Sequence, residues 1–418
     1  MRVLFLAHRM PYPPDKGDKI RSFWELKWLA ARHEVDLFCF YDDPGDAKYL
    51  PELQRFCRNC YAEPLSWTKS RLRALAALSS GRPFTLGYFH SPQMGREVAR
   101  AVRTRSYDLA FVFCSSMAQY IQSLSDMPRI LDMVDVDSDK WAQYGAQSSS
   151  PLAWLWRLEA KRLAAYEREV ASAFASTLVC TGAEADVLRN IAQSGNISVV
   201  EHPADYTAFD PESTPVPQTI RALQPFVVFT GQMDYRPNVD AVAYFCREIF
   251  PRLRVAHPEL KFVIVGRNPA PEVCALEADP AVRVTGTVAD LRPFLRGARA
   301  AVAPMRIARG VQNKILEAMA MGLPVVASRR AAAALPGPLA ELVAAEDDPT
   351  RFAEALSNLL SGTQPPVPSI RQALLEHNAR LNPEEKFEAL IREAVRERSA
   401  RGEEPVLSGS QTVTAGSH

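Results

Sequence analysis

Ala300-Ala301-Val302-Ala303-Pro304-Met305-Arg306-Ile307-Ala308-Arg309-Gly310-Val311-Gln312-Asn313-Lys314-Ile315-Leu316-Glu317-Ala318-Met319-Ala320-Met321-Gly322-Leu323-Pro324-Val325-Val326-Ala327 reads as one complete structural unit. A short apolar strand runs into a glycine-containing loop, the loop into a helix, and the helix through a Gly-Pro turn into a second strand. Strand and helix alternating in this way predict a parallel sheet covered on both faces.

The same rhythm extends in both directions. Downstream of residue 225 it includes Phe226-Val227-Val228-Phe229, Phe262-Val263-Ile264-Val265, Val282-Arg283-Val284 and Glu341-Leu342-Val343. Upstream it includes Val3-Leu4-Phe5-Leu6, Val35-Asp36-Leu37-Phe38, Leu109 to Phe113, Arg129-Ile130-Leu131, Thr177 to Cys180 and Ile197 to Val200. The Pro/Ser/Thr-rich stretch Asp210 to Pro217 between the two sets has linker chemistry. The expected organisation is α/β, with two facing Rossmann-like domains at residues 1–212 and 213–375. A C-terminal helix at 376–398 is expected to pack back on the first domain, followed by a disordered polar tail at 399–418. Ser150 and Pro151 predict the N-cap and first position of a helix towards Phe174.

A chain of 418 residues has room for two domains of roughly 200 residues each. Its 47% hydrophobic and 23% charged residues are those of a soluble globular protein. Forty-nine basic against forty-eight acidic residues leave a net charge of +1, which gives no field for a polyanion and excludes nucleic acid as the expected partner. Seven scattered cysteines read as reduced core residues, and Cys57-Arg58-Asn59-Cys60 has no second pair at metal spacing. No targeting segment and no membrane span of roughly 18 to 20 apolar residues is legible, so a cytoplasmic location is expected.

Chemistry concentrates in the opening stretch. The loop ending at Gly310-Val311-Gln312-Asn313 leads into a helix N-terminus, whose unpaired N–H groups and positive dipole end suit a diphosphate. Lys314 adds a point charge there. Glu317, one turn further, either grips two vicinal ribose hydroxyls or merely complements the helix dipole.

The string Lys314-Ile-Leu-Glu317-Ala-Met-Ala-Met-Gly322-Leu-Pro-Val-Val-Ala327 resembles the donor-site signature of the retaining family-four glycosyltransferases of GT-B fold. The resemblance also covers Met1 to about Ser22, the Gly231 region and the Val265-Gly266-Arg267 turn. Within that family it is closest to the sugar transferases of exosortase-associated exopolysaccharide systems. It implies a nucleoside-diphosphate sugar as donor substrate, held mainly by the second domain, with no cofactor and no metal. The implied acceptor is a lipid-linked glycan entering from the first domain. It further implies that the turn at Gly231 presents Arg236 to the diphosphate, that Arg267, Gly286 and Thr287 approach the base, and that Gly17 faces the donor across the cleft. Asp135 or Asp137, at the end of an Asp-rich strand, is the candidate for binding or polarising the acceptor; capping by Asp137 or Ser138 is the plainer reading of that segment.

Two departures stand out. Eight positions before Glu317 the family places a first glutamate, and this chain has Arg309. Where the family commonly has Asn-Gly-Val-Asp, this chain has His202-Pro203-Ala204-Asp205. These keep two further readings open: a non-catalytic sugar-nucleotide-binding subunit, or a sugar-nucleotide epimerase of the same architecture. Finally, Trp67 to Leu78 mixes cations with leucines on an amphipathic helix, either a solvated face or a peripheral contact with the inner membrane surface.

Overall fold

The computed structural model describes residues 1–14, 17–122, 127–147, 150–193, 196–201, 206, 208–308, 310–362 and 370–400. Arg309, the segment His202 to Asp205 and the tail from residue 401 lie outside the described residues.

The chain builds two all-parallel sheets. The first contains β1 (Arg2–Ala7), β2 (Glu34–Tyr41), β3 (Asn59–Pro64), β4 (Leu109–Phe113), β5 (Arg129–Val134), β6 (Ser176–Val179) and β7 (Ile197–Val199), in the order β3-β2-β1-β4-β5-β6-β7. The second contains β8 (Phe226–Thr230), β9 (Lys261–Val265), β10 (Val282–Val284), β11 (Ala300–Ala303), β12 (Val325–Ala327) and β13 (Ala344–Ala345), in the order β10-β9-β8-β11-β12-β13. β1, β4 and β8 are buried along their length apart from Arg2, as expected of near-continuous apolar runs flanked by helices on both faces.

In each sheet the strand order reverses once, between β1 and β4 and between β8 and β11. At such a point the following helices leave on opposite faces, opening a crevice at the carboxyl ends of the strands. The two sheets therefore carry a preformed cleft each.

Two core clusters sandwich the first sheet. One of them places Val3, Phe5 and Phe111 with Phe387, Ile391 and Ala394, which belong to the helix Pro383–Ala400. That helix returns to the first domain, and the Phe387 ring meets Trp28 at 4.9 Å and Phe111 at 5.1 Å. A single larger cluster fills the second sheet and its helices.

Two local expectations shift. The helix expected from Pro151 begins at Ala153 with Leu152 as its N-cap, because the Ser150 hydroxyl instead accepts from Leu152 N at 3.2 Å and closes a turn before the helix. The strand expected at Glu341–Val343 begins only at Ala344, since Leu342 and Val343 N–H groups bond back to Leu339 and Ala340 carbonyls in the turn after a short helix.

Candidate functional site

The main cavity, about 710 Å³, opens at the carboxyl ends of the second sheet and is closed on its far side by the first domain. Its floor is laid by turns that only small residues permit. A Cβ on Gly266, after β9, would lie 1.6 Å from the Gly231 carbonyl oxygen. Glycine lets the turns after β8 and β9 interlock, with Gly231 N donating to Val265 O at 3.0 Å and Met233 N to Arg267 O at 2.9 Å. Asn238 is buried in the same wall, its Nδ2 donating to Gln232 O at 2.9 Å.

The helix Asn313–Ala320 points its N-terminus into this cavity, and its N-cap residue Gln312 makes no side-chain cap hydrogen bond. The helix end thus meets the ligand space without a capping side chain, while Asn313 N and Ile315 N donate to Val311 O at 3.2 Å and Gln312 O at 2.9 Å. Lys314 Nζ lies 3.4 Å from Gln312 Oε1 and 5.4 Å from the Phe229 ring centroid. Burial lowers the Lys314 amine to about 8, partly opposed by Glu317. Burial likewise raises the Glu317 carboxyl to about 7, partly opposed by Lys314. Both groups are therefore poised to change charge near neutrality, and an anionic ligand would hold Lys314 protonated.

Of the residues singled out in the sequence, Gly17, Gly231, Arg267, Thr287, Val311, Gln312, Asn313, Lys314 and Glu317 all line the cavity. Gly17 opens the helix Gly17–Ala30, and a Cβ there would stand 3.6 Å from Asn313 Nδ2, so two helix N-termini from different domains converge. Gly286 sits beside Thr287 at positive φ but outside the lining. Arg236 is likewise not among the described lining residues; its guanidinium lies over the Tyr144 ring at 5.2 Å. A cation that the sequence did not single out, Lys140 on the first-domain helix Asp137–Gln147, lines the cavity instead.

Asp135 lies beside the Gly310 loop. It is half-buried there: a Cβ on Gly310 would lie 2.1 Å from its Oδ1, and the Cys180 thiol donates to the same oxygen at 3.3 Å. Gly310 has φ +57° and donates its N–H to Glu184 Oε1 at 3.3 Å, while Glu184 Oε2 accepts from Val136 N at 2.7 Å. Burial, then the neighbouring Asp135, pushes Glu184 up to about 7. The first-domain carboxyl of Glu184 thus holds the Gly310 loop by its backbone. The start of the Asp137 helix is served not by its own serine but by Glu167, which accepts from Ser138 N at 3.1 Å and from the Ser138 hydroxyl.

Comparison with known proteins bears on the whole assembly. Residues 224–362 match the model of a family described as glycosyl transferases group 1. The chain superposes on a sucrose-phosphate synthase from Thermosynechococcus elongatus with TM-score 0.64 and 16% identity, covering 96% of this chain and 99% of that one. The fold is GT-B. A UDP-forming α,α-trehalose-phosphate synthase from Burkholderia vietnamiensis shares this GT-B fold at TM-score 0.62 and 14% identity, covering 94% and 100% of the two chains. Anabaena HepE in complex with UDP does so at TM-score 0.57 and 14% identity, covering 96% and 100%. Comparison with curated proteins finds no match. Among the described residues no group of three or more His, Cys, Asp or Glu side chains could hold a metal ion, and no helix is long and apolar enough to cross a membrane.

The amphipathic segment forms the helix Trp67–Ser79, which buries Ser70 and Ala77. Trp67, Leu72 and Leu75 are exposed at 57%, 67% and 61%, and the Arg71 guanidinium stacks on the Trp67 ring at 3.6 Å.

Proposed function

We propose that this chain transfers a sugar from a nucleoside-diphosphate sugar to a hydroxyl of a lipid-linked glycan, with retention at the anomeric carbon, in exopolysaccharide assembly on the cytoplasmic face of the membrane. The observation that carries the reading is the convergence of an uncapped helix N-terminus, Lys314 and Glu317 in one cavity between two GT-B domains. The helix end and Lys314 suit the diphosphate, Glu317 suits the ribose hydroxyls, and the turns at Gly266 and Thr287 suit the base.

In the proposed step the bond from the anomeric carbon to the diphosphate oxygen breaks and its electron pair goes to the leaving diphosphate. The acceptor oxygen bonds to the same face of that carbon and gives its proton to a leaving phosphate oxygen. Glu317 is the one carboxylate among the described lining residues, and it sits on the ribose side of this scheme. The largest catalytic contribution then falls to stabilising negative charge on the leaving group. Peripheral membrane contact fits the helix Trp67–Ser79, whose outward apolar side chains are accompanied by Lys69, Arg71 and Arg73 and by no acidic residue.

The test is a nucleotide-sugar panel incubated with the protein and a membrane lipid extract, following nucleoside diphosphate release and labelled sugar transfer. One donor consumed only with extract, and lost in Lys314→Ala or Glu317→Ala, is the expected result. Donor binding without turnover under any condition points to a binding subunit, and acceptor-independent conversion of the donor points to an epimerase.

A further inference from the structure

The donor cavity has three basic side chains among its described lining residues: Arg267, Lys314 and Lys140. The first two belong to the second domain, whereas Lys140 comes from the first. Its placement is built. Lys140 sits in the opening turns of the helix Asp137–Gln147, its N–H bonds back to Val136 O, and its amine is ion-paired with Asp137 one turn earlier. Asp137 and Lys140 side chains are only 20% and 27% exposed.

Opposite Lys140 in the cavity wall stands Tyr235, in the turn that follows Gly231. The next residue, Arg236, places its guanidinium over the Tyr144 ring of the Lys140 helix at 5.2 Å. The cation of that turn thus lies against a ring of the Lys140 helix, while Lys140 itself lines the cavity.

We propose that Lys140 is a binding residue for the donor's diphosphate, supplied across the cleft by the acceptor-side domain. This rests on the nucleotide-sugar reading above. With the donor held by the second domain, the amine reaches the diphosphate only when the domains are closed. It therefore adds its charge where negative charge grows as the sugar leaves. Asp137 keeps the amine charged and aimed in the meantime.

Nucleoside diphosphates and the monophosphates of the same bases are titrated against wild-type protein, Lys140→Ala and Lys140→Arg by calorimetry, with melting temperatures recorded for each. A charge-assisted contact predicts that Lys140→Ala loses roughly ten- to a hundredfold in diphosphate affinity. Monophosphate affinity changes less than about threefold, and Lys140→Arg recovers part of the loss. A merely structural role would depress both nucleotides together and lower the melting temperature, and that result overturns the proposal. So does a diphosphate-to-monophosphate ratio unchanged in a well-folded Lys140→Ala. If the wild-type protein binds no nucleoside diphosphate, the nucleotide-sugar reading fails and Lys140 with it; a wild type that binds while the ratio stays fixed removes Lys140 alone.

Discussion

Donor affinity should follow a narrow bell in pH, and its width can be worked from two side chains. In the proposed site, binding needs Lys314 protonated for the diphosphate and Glu317 ionised for the ribose. Burial brings these groups to about 8 and about 7 in the free protein. The fraction of molecules carrying both charges is then about 0.6 at pH ~7.5 and about 0.1 at pH ~6 or pH ~9, and the apparent Kd rises as that fraction falls. Affinity for a nucleotide sugar should thus weaken about sixfold at either end of that range. Calorimetry in buffers of different ionisation enthalpy reads the same linkage directly. At the alkaline end binding takes up to about one proton, onto Lys314, and at the acid end it releases up to about one, from Glu317. Lys314→Arg keeps its charge and should remove only the alkaline limb. Affinity constant within twofold across the range, with no proton exchange, would refute the assignment of these two groups to the ligand.

Three other outcomes are expected. Gly310→Ala places a Cβ 2.1 Å from Asp135 Oδ1 at φ +57°, so donor turnover should fall more than about tenfold; adding Asp135→Ala should recover part of it, and no recovery means the backbone conformation alone is decisive. Phe387→Ala empties a fully buried ring site between Trp28 and Phe111 and should cost about 3–5 kcal/mol in denaturant unfolding. Glu167, pushed up to about 8 by burial, is protonated in the fold where the unfolded chain is ionised; its contribution is complete below about pH 4.3 and is lost as pH rises through about 8. Glu167→Gln should flatten that slope in melting curves, and an unchanged slope would assign it to other groups.

The fold was legible because most of its strands are short, largely apolar runs separated by helix-length segments, a pattern that buried parallel sheets impose directly. Element starts were less so. Ser150 has the chemistry of an N-cap, but the same hydroxyl closes a turn equally well, and only the backbone path decides between them. The cavity's second-domain wall was legible because one contiguous stretch, Val311 to Glu317, forms much of it. What crosses between domains was not. Whether Lys140 faces the cleft depends on the azimuth of its helix, and whether Asp135 meets ligand or loop depends on how closely Gly310 approaches it. Both are contacts between segments far apart in sequence, and no local period encodes them. Arg236 is a similar case: its guanidinium lies over a ring of the other domain, a contact that no local pattern encodes.

The returning helix has a consequence for how the protein is made. Val3 and Phe5 leave the ribosome about 380 residues before Phe387, Ile391 and Ala394, which complete their side of the core. While the whole second sheet is being synthesised, β1 and β4 have one apolar face without its final cover. Vectorial synthesis would let a self-contained first domain fold early; here its last layer arrives only after the second sheet has been made. Nascent chains halted before residue 383 are therefore expected to expose that face to chaperones, and emergence of the helix Pro383–Ala400 is expected to be the event that covers it.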